Sequence, residues 1–324
     1  MKQLPVTTYG YQCGPIVYGC MGLGGEWNDS PLTNDDVNKA RVATEAAINA
    51  GITLFDHADI YTRGKAELVF GRLLKENLGL RSTIYIQSKC GIHLSDDPWK
   101  PHRYDFSYHH LISSVEKSLT RLQTDYLDFL LLHRPDPLME PDEVARAFSQ
   151  LHRQGKVRHF GVSNFTWQQL DWLQTVVEQP LMINQVELSL VHHHWLDLGV
   201  TANHRSAQGS SAFHGTMEYC QRNKIQLQSY GPLSKGLLTN ENASPENESY
   251  RKVIGMIGEL SRKYTVSREA IVLAWLLRLP AGIQAVIGTT NPDRIRACAQ
   301  ATLLELSREE WYALYTAVRG GRLP

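Results

Sequence analysis

The sequence lacks the features that mark secreted, membrane-spanning or nucleic-acid-binding proteins. Its five cysteines are scattered along 324 residues and form no C-x-x-C pair, so we expect reduced thiols and no disulfide framework. Lys plus Arg equals Asp plus Glu, at 33 each, which gives no long-range attraction to nucleic acid or anionic lipid. No apolar run reaches the length of a membrane span, and residues 1–5 lack an apolar signal core. We therefore expect a cytoplasmic protein without nucleic-acid or membrane partners.

The glycine fingerprint of a doubly wound dinucleotide-binding sheet is also missing. Gly22-Leu23-Gly24-Gly25 follows the first apolar run, but Trp27 stands where the last glycine of G-x-G-x-x-G should be. An open doubly wound sheet would use much the same strands and helices, so this failed motif argues against that fold.

Short β-rich runs alternate with longer amphipathic stretches, a pattern that predicts parallel strands joined by helical crossovers. Strands are predicted at 16–20, 52–55, 83–88, 126–132, 157–162, 182–186, 225–229 and 284–287. Helices are predicted near 34–50, 65–76, 108–121, 141–154, 166–176, 214–223, 249–277, 291–301 and 307–318. Eight strands close a barrel. The sequence thus predicts an α/β fold, one (β/α)8 TIM barrel domain over 1–324 with an extra C-terminal helix.

Several local signals refine this prediction. Residues 34–36 (Asn-Asp-Asp) can cap the first helix, and Ser267 divides the 249–277 stretch into two helices. The loops after residues 89, 186 and 231 are long, and in a barrel they would lie over the active site. Residues 199–213 are rich in Gly, Ser, Ala and Asn, which predicts disorder.

Polar residues follow three of the predicted strands. Asp56 and Tyr61 follow the second, Lys89 the third and His133 the fourth, and the carboxyl ends of barrel strands are where such folds keep their chemistry. A tyrosine of pKa about 10 is a reluctant acid unless a cation stabilises its phenolate, and Lys89 could be that cation. Asp56 would keep the lysine charged, and His133 could hydrogen-bond a substrate oxygen. The set suits reduction of a carbonyl to an alkoxide.

These segments resemble the signatures of the aldo-keto reductases, from about residue 10 onwards. Gly51 to Tyr61 (GITLFDHADIY) is similar to the first signature of that family, and residues 86–89 (IQSK) and 130–136 (LLLHRPD) resemble its lysine and histidine strands. The resemblance implies NADPH-dependent, reversible hydride transfer to an aldehyde or ketone, with Tyr61 as general acid and Asp56, Lys89 and His133 as the other catalytic residues. It also implies a small carbonyl or alcohol substrate and a monomer.

The same resemblance implies a set of cofactor-binding residues. Ser163, Asn164 and Gln185 would hold the nicotinamide carboxamide, and the ring of Tyr230 would stack on the nicotinamide. The backbone near the first strand, the loop after Tyr230 and the start of the last crossover helix would complete the site, through Gly19, Cys20, Met21, Gly231, Leu233, Lys235, Gly288, Thr289, Asn291 and Arg294. Ala297 and Cys298 replace the Glu and Asn that usually contact adenine. NADPH or NADP+ is therefore expected, with NADH left open.

Two alternative functions remain open at the level of sequence. The resemblance extends to potassium-channel β subunits, so a cofactor-binding regulatory subunit with weak redox activity is the second hypothesis, although no amino-terminal extension for a partner is evident. A lyase or transaminase with a Schiff base on Lys89 is the third.

The run His192-His193-His194 favours a structural or solvated role, and no metal is expected. Trp27, Trp99 and Trp195 either line the barrel mouth or pack its loops, and His57 either affects substrate binding or does nothing.

Overall fold

Eight parallel strands form a closed barrel in the computed structural model, which describes residues 3–97, 99–201, 213–241 and 245–324. Its strands, together with a two-stranded hairpin, are β1 (Ile16–Gly19), β2 (Leu54–Asp56), β3 (Tyr85–Cys90), β4 (Ile92–His93), β5 (Arg103–Tyr104), β6 (Leu127–Leu132), β7 (Val157–Ser163), β8 (Leu181–Glu187), β9 (Gln226–Tyr230) and β10 (Gln284–Ile287). The order around the barrel is β1-β10-β9-β8-β7-β6-β3-β2. The predicted (β/α)8 barrel is confirmed.

Strand pairing moves two of the predicted strands along the chain. The sequence predicts β2 and β3 at 52–55 and 83–88, but each begins two residues later, because Leu54 pairs with Tyr85 and Asp56 with Gln87. β3 therefore includes Lys89, which the sequence pattern places just beyond the strand. The antiparallel hairpin of β4 and β5 was not predicted, because two-residue strands carry no periodic signal.

Helices cover the barrel. They are α1 (Asn34–Asn49), α2 (Lys65–Glu76), α3 (Tyr108–Leu122), α4 (Pro141–Arg153), α5 (Trp167–Gln174), α6 (His194–Val200), α7 (Thr216–Arg222), α8 (Glu248–Tyr264), α9 (Arg268–Leu277), α10 (Pro292–Ala299) and α11 (Arg308–Arg319). Short 3-10 segments lie at Pro5–Tyr9, Cys20–Gly22, Tyr61–Gly64, Leu80–Ser82, Ser234–Gly236 and Gln300–Leu303. None of the helices within the described ranges has the length and apolar character that a bilayer span requires.

The helix signals in the sequence are confirmed with one correction. Ser267 caps α9 by accepting a hydrogen bond from the Ala270 amide, so the predicted division of 249–277 is right. The first helix is capped instead by Thr33, whose hydroxyl accepts from the Asp36 amide while Asp36 accepts from the Thr33 amide. Of the predicted capping residues 34–36, only Asp36 takes part.

The loops at the carboxyl face carry structure of their own. The hairpin of β4 and β5 follows β3, and α6 follows β8. The disorder predicted for 199–213 falls largely on 202–212, which lie outside the described residues, whereas residues 199 and 200 belong to α6.

Alternation along the strands divides the apolar residues between two cores. Val17, Leu54 and Phe129 point into the barrel, where Leu4 and Val6 of the amino-terminal segment join them. Their neighbours, Ile16, Tyr18, Phe55 and Leu130, belong to the larger core between the barrel and its helices. Because all these residues are buried, shifting one strand by a single residue would exchange both cores. The register that positions the strand ends is thereby fixed.

Gly71 in α2 tests the packing between α2 and α3. A Cβ there would lie 2.1 Å from the carbonyl oxygen of Arg121, whereas a Cβ at Gly255 in α8 would meet nothing within 4 Å. We expect Gly71→Ala to reduce the free energy of unfolding by about 1–3 kcal/mol. Gly255→Ala should instead raise it by about 0.5–1 kcal/mol, because alanine favours the helix. Urea denaturation measures both, and a stable Gly71→Ala would contradict this packing.

Candidate active site

Backbone hydrogen bonds beyond the strand ends bring the predicted catalytic segments together. The amide of His57 donates to the Gln87 carbonyl at 2.8 Å, and the amide of Asp59 donates to the Lys89 carbonyl at 2.9 Å. The His133 amide donates to the Cys90 carbonyl at 2.9 Å. The ladders of β2, β3 and β6 thus continue into the loops, and they place Asp56, Lys89 and His133 at one end of the barrel.

Lys89 is the centre of the site. Its Nζ donates to Asp56 Oδ2 at 2.7 Å, to Tyr61 Oη at 2.9 Å and to the His57 carbonyl at 3.0 Å, so all three ammonium protons have an acceptor. The side chain is only 1% exposed. Burial disfavours the charge, but attraction to Asp56 and Tyr61 outweighs it and raises the pKa of Lys89. A lysine that holds its proton this firmly is a poor nucleophile, which disfavours the Schiff-base hypothesis.

A chain of buried glutamines that the sequence analysis does not predict supports Asp56. Gln185 Nε2 donates to Asp56 Oδ1 at 3.1 Å, and Gln87 Nε2 donates to the same oxygen. Both amides also donate to Gln228 Oε1, and Gln228 Nε2 donates to Gln284 Oε1 at 3.1 Å. The chain crosses the barrel from β3 to β10. The available signal was the presence of glutamine in four buried strands, namely Gln87 in β3, Gln185 in β8, Gln226 and Gln228 in β9, and Gln284 in β10.

The pKa of Tyr61 departs from the expectation based on Lys89 alone. Burial raises the pKa of the phenol, Lys89 lowers it, and burial is the larger effect, so the pKa is raised. Tyr61 begins a turn in which Thr62 and Arg63 have φ of +46° and +57°. The Thr62 hydroxyl donates to the Leu23 carbonyl at 2.9 Å, which fixes that turn against the loop after β1. The Tyr61 phenol therefore keeps its proton while its oxygen contacts the Lys89 ammonium group.

His133 lies beside Tyr61, with ring centroids 6.0 Å apart. Burial, with the charges of Lys89 and Arg134, holds the pKa of His133 well below its usual value, so the imidazole is neutral at neutral pH. Its Nδ1 has no hydrogen-bond partner among the described residues. Arg134 reaches from the same strand end towards Tyr230, with Nη2 3.4 Å from Tyr230 Oη. A neutral imidazole in this place can donate one hydrogen bond without adding positive charge.

His57 and Asp59 lie behind the site. The His57 ring is fully buried and packs against Phe70 in α2, so it cannot touch a substrate, and its part in the site is the carbonyl that accepts from Lys89. Burial and the charge of Glu67 raise the pKa of Asp59 to about 7. Glu67 itself accepts hydrogen bonds from Ser88 and Arg121, which joins α2 to β3 and α3.

The residues expected to hold a nicotinamide carboxamide lie at the ends of β7, β8 and β9. The Ser163 hydroxyl donates to the Gln185 carbonyl at 2.8 Å, and Asn164 Nδ2 donates to Ser163 Oγ at 2.8 Å. Tyr230 Oη donates to Asn164 Oδ1 at 2.9 Å. Gln185 meets this group through its backbone only, because its side chain contacts Asp56. Ser163, Asn164 and Tyr230 therefore form one cluster, and Gln185 connects it to the catalytic array.

The loop after β9 has a backbone suited to binding an anion. Gly231, Ser234 and Lys235 have φ of +63°, +47° and +56°, and residues in this left-handed region turn successive amides towards one side. Strained non-glycine residues of this kind cluster at functional sites. Ser234 is fixed to Ser189 by a hydroxyl contact of 2.9 Å, and Lys235 is exposed. The residue types and backbone of this loop thus fit a pyrophosphate.

The start of α10 lies close to the loop after β1. A Cβ at Gly22 would be 3.1 Å from Thr290, so the two segments pack closely. The Asn291 side chain caps its own helix by accepting from the Asp293 and Arg294 amides, and Thr289 Oγ1 accepts from the Asn291 amide. Both residues therefore have local structural roles, and the exposed Arg294 is the group best placed to meet a phosphate.

The loop after β1 carries the remaining predicted contacts. Gly19, the last residue of β1, has no room for a side chain, because a Cβ would lie 3.0 Å from both the Ile287 carbonyl oxygen and Val286 Cγ1 of β10. Cys20 is fully buried, and Met21 is 52% exposed. Gly288 directly follows β10 and is exposed. Leu233 lies in the loop after β9 and is half-buried.

The three tryptophans near the loops and the three consecutive histidines differ in burial and in contacts. Trp195 is buried in α6, whereas Trp27 and Trp99 are 46% and 91% exposed, so they do not pack the loops as Trp195 does. His193 is nearly buried and contacts Asp197, while the His192 and His194 rings contact each other.

The barrel and its polar mouth define a class of enzymes that work at the carboxyl ends of eight parallel strands. The model of the aldo/keto reductase family matches residues 15–318, and the chain belongs to this family of oxidoreductases. The resemblance found in the sequence motifs is confirmed.

Relatives match this chain over nearly their whole length. The oxidoreductase YcsN of Bacillus subtilis is 36% identical, over 97% of this chain and 97% of that protein. The 6-dehydroglucose reductase of Agrobacterium fabrum is 34% identical, over 94% of each chain. An aldo-keto reductase from Klebsiella pneumoniae, solved in complex with NADPH, is 24% identical and covers 93% of this chain and 90% of its own, with a TM-score of 0.71.

Removal of the Lys89 ammonium should leave Asp56 charged and buried. We expect Lys89→Met to reduce the free energy of unfolding by about 3–5 kcal/mol, and Lys89→Met with Asp56→Asn to recover much of that loss. Lys39→Met, which breaks an exposed pair with Asp35, is the control and should have no measurable effect. Urea denaturation gives all three values. A double variant no more stable than Lys89→Met would show that the pair is not coupled.

Asp59 should make stability depend on pH. Its pKa is about 7 in the folded protein, whereas an unperturbed Asp side chain, as in the unfolded chain, has a pKa of 3.8. Between these two pH values the folded state binds more protons than the unfolded state, so stability falls as pH rises. Asp59→Asn stays neutral throughout. Relative to the wild type it should gain stability between pH 5 and pH 8, by an amount on the order of 2 kcal/mol. Urea midpoints at both pH values test this, and an equal difference at both would contradict it.

Proposed function

We propose that this protein is an NADPH-dependent carbonyl reductase that uses Tyr61 as its general acid. The observation that carries the proposal is the position of Lys89 Nζ, within 2.9 Å of both Asp56 Oδ2 and Tyr61 Oη, with the His133 ring beside that of Tyr61. An ammonium group that contacts a phenol stabilises the phenolate formed when the phenol gives up its proton. The reverse reaction, oxidation of an alcohol, uses the same residues.

Each catalytic side chain has one task in this proposal. Tyr61 donates its proton to the substrate oxygen as negative charge develops there, and Lys89 stabilises the phenolate left behind. Asp56 keeps Lys89 charged inside the barrel. His133, neutral at neutral pH, donates a hydrogen bond that orients the substrate carbonyl. A raised pKa keeps Tyr61 protonated before the reaction, which suits an acid.

NADPH, when bound, supplies the hydride that reduces the carbonyl carbon. Ser163 and Asn164, with Gln185 beside them, would hold its carboxamide, and Tyr230 would support the nicotinamide ring. The backbone of Gly19, Cys20 and Met21 would border the same ring. Gly231, Leu233 and Lys235 would enclose the pyrophosphate, and Gly288, Thr289, Asn291 and Arg294 would receive the 2′-phosphate.

The choice of phosphate rather than hydroxyl at the ribose depends on Arg294. Arg294 is exposed near the amino terminus of α10, where the helix dipole also favours an anion. The Arg294 guanidinium offers a fork of donors to a phosphate. The neighbours Ala297 and Cys298 add no charge. The preference for NADPH over NADH therefore depends mainly on Arg294 and the amino terminus of α10.

The substrate class follows from the site and from one relative. The carbonyl would meet Tyr61 and His133, with Arg134 nearby and the exposed Trp27 and Trp99 on loops of the carboxyl face. The 34% identical relative is named for reduction of 6-dehydroglucose. We therefore propose a test panel of sugar aldehydes and aromatic aldehydes, ketones and quinones.

Tyr61→Phe tests the assignment of the acid. It removes one hydroxyl and leaves the ring, so kcat for carbonyl reduction should fall by about 10²–10⁴-fold while the Kd for NADPH changes little. Loss of NADPH absorbance measures turnover, and quenching of protein fluorescence measures cofactor binding. Tyr312→Phe, an exposed tyrosine on α11, is the matched control and should keep full activity.

Two results would overturn the proposal. Full activity of Tyr61→Phe would exclude Tyr61 as the acid. Wild-type protein that binds NADPH tightly and reduces no carbonyl in the panel would favour the regulatory subunit instead.

A further inference from the structure

Three side chains with metal-binding atoms converge outside the catalytic array, in the connection between β3 and α3. His93 lies in β4, Asp105 directly follows β5, and His110 lies in the first turn of α3. One ligand atom from each lies within 4.8 Å of the others, and among the described residues this is the one such group of three or more His, Cys, Asp or Glu. The catalytic proposal uses none of them.

The Asp105 carboxylate is held by the backbone around it. Its amide donates to the Gly91 carbonyl at 3.0 Å, and the Ser107 amide donates to Oδ1 at 3.0 Å. The other oxygen, Oδ2, lies 3.2 Å from His93 Nε2. Two ligands of one tetrahedral zinc ion, with bonds of about 2.0 Å, lie about 3.3 Å apart. This pair therefore already has the separation of two ligands on one ion.

The His110 ring closes the cluster from the helix side. Its centroid is 4.1 Å from that of His93, and its Nε2 lies 3.3 Å from the Ser114 hydroxyl, one turn further along α3. A hydrogen bond to one ring nitrogen fixes the orientation of an imidazole, as is usual for histidines that bind metals.

Neighbouring carboxylates hold the backbone between the ligands. The Phe106 amide donates to Asp136 Oδ2 at 3.0 Å, and the Tyr108 amide donates to Glu143 Oε2 at 2.9 Å. Since Asp136 and Glu143 lie outside the connection, they anchor the ligand-bearing segment to the rest of the barrel. The cost of ordering the ligands is thus largely met before any ion binds.

Two of the three ligand side chains remain partly exposed to solvent. The His93 and Asp105 side chains are 30% and 27% exposed, which leaves room for water to complete a coordination sphere.

We propose that His93, Asp105 and His110 form a binding site for a divalent transition metal ion, with Zn²⁺ as the ion that best fits two imidazoles and one carboxylate. The ion would join the β4–β5 hairpin to α3. The same connection carries Asp96, which pairs at 2.8 Å with Arg63, two residues after Tyr61. Bound metal would therefore stabilise the loop that borders the barrel mouth without touching the catalytic residues.

The test is calorimetric titration of metal-stripped protein with Zn²⁺, repeated with Co²⁺ while visible absorption is recorded. We expect one ion per chain and cobalt ligand-field bands. His110→Ala and Asp105→Asn should each weaken Zn²⁺ binding by roughly tenfold or more. His109→Ala, the exposed neighbour in the same helical turn, is the matched control and should bind as the wild type does.

A thermal measurement keeps the proposal testable if one variant folds poorly. Zn²⁺ should raise the Tm of the wild type and of His109→Ala, but not that of His93→Asn. Absence of saturable binding to the wild type would overturn the proposal. So would binding that survives in the site variants and is lost in His192→Ala, which disrupts the other histidine pair.

Discussion

The buried ion pair between Lys89 and Asp56 is the interaction on which the rest of the site depends. Both side chains are at most 2% exposed, and their charged atoms are 2.7 Å apart. Two charges removed from water are stabilised only when their geometry is good and their remaining donors and acceptors are satisfied. Here the Lys89 protons go to Asp56, Tyr61 and a backbone carbonyl, so the requirements of the pair determine where the phenol lies.

The register of the barrel strands supplies the hydrogen-bond partners that this ion pair requires. Asp56 receives amide donors from Gln87 of β3 and Gln185 of β8, and both amides also donate to Gln228 of β9. A glutamine inside an apolar barrel would be costly without partners, so the chain of amides constrains the strands as firmly as the apolar layers below it. The amino-terminal segment closes the apolar end of the barrel, and the chemistry is left to the polar end.

Much of this could be predicted from sequence because its signals are local. Apolar runs followed by Asp56, Lys89 and His133 indicated both the barrel and the catalytic face. The glutamine chain could not be predicted, because its partners lie on different strands and only the register brings them together. The raised pKa of Tyr61 could not be predicted for a similar reason. Motif spacing indicates the nearby lysine, which lowers the pKa, but not the burial that raises it by more. The β4–β5 hairpin and α6 are too short to carry a periodic pattern.

The most direct test of this account is the charge on Lys89 itself. NMR of the lysine Nζ groups in ¹⁵N-enriched protein, with the Lys89 signal assigned by its loss in Lys89→Met, follows that charge as pH rises. The pKa of Lys89 is raised above its ordinary value of 10.5, so we expect Lys89 to remain mainly charged at pH 10.5, where exposed lysines are half titrated. A Lys89 that loses its proton below about pH 9 would mean that burial outweighs Asp56, and it would contradict the proposed stabilisation of the Tyr61 phenolate.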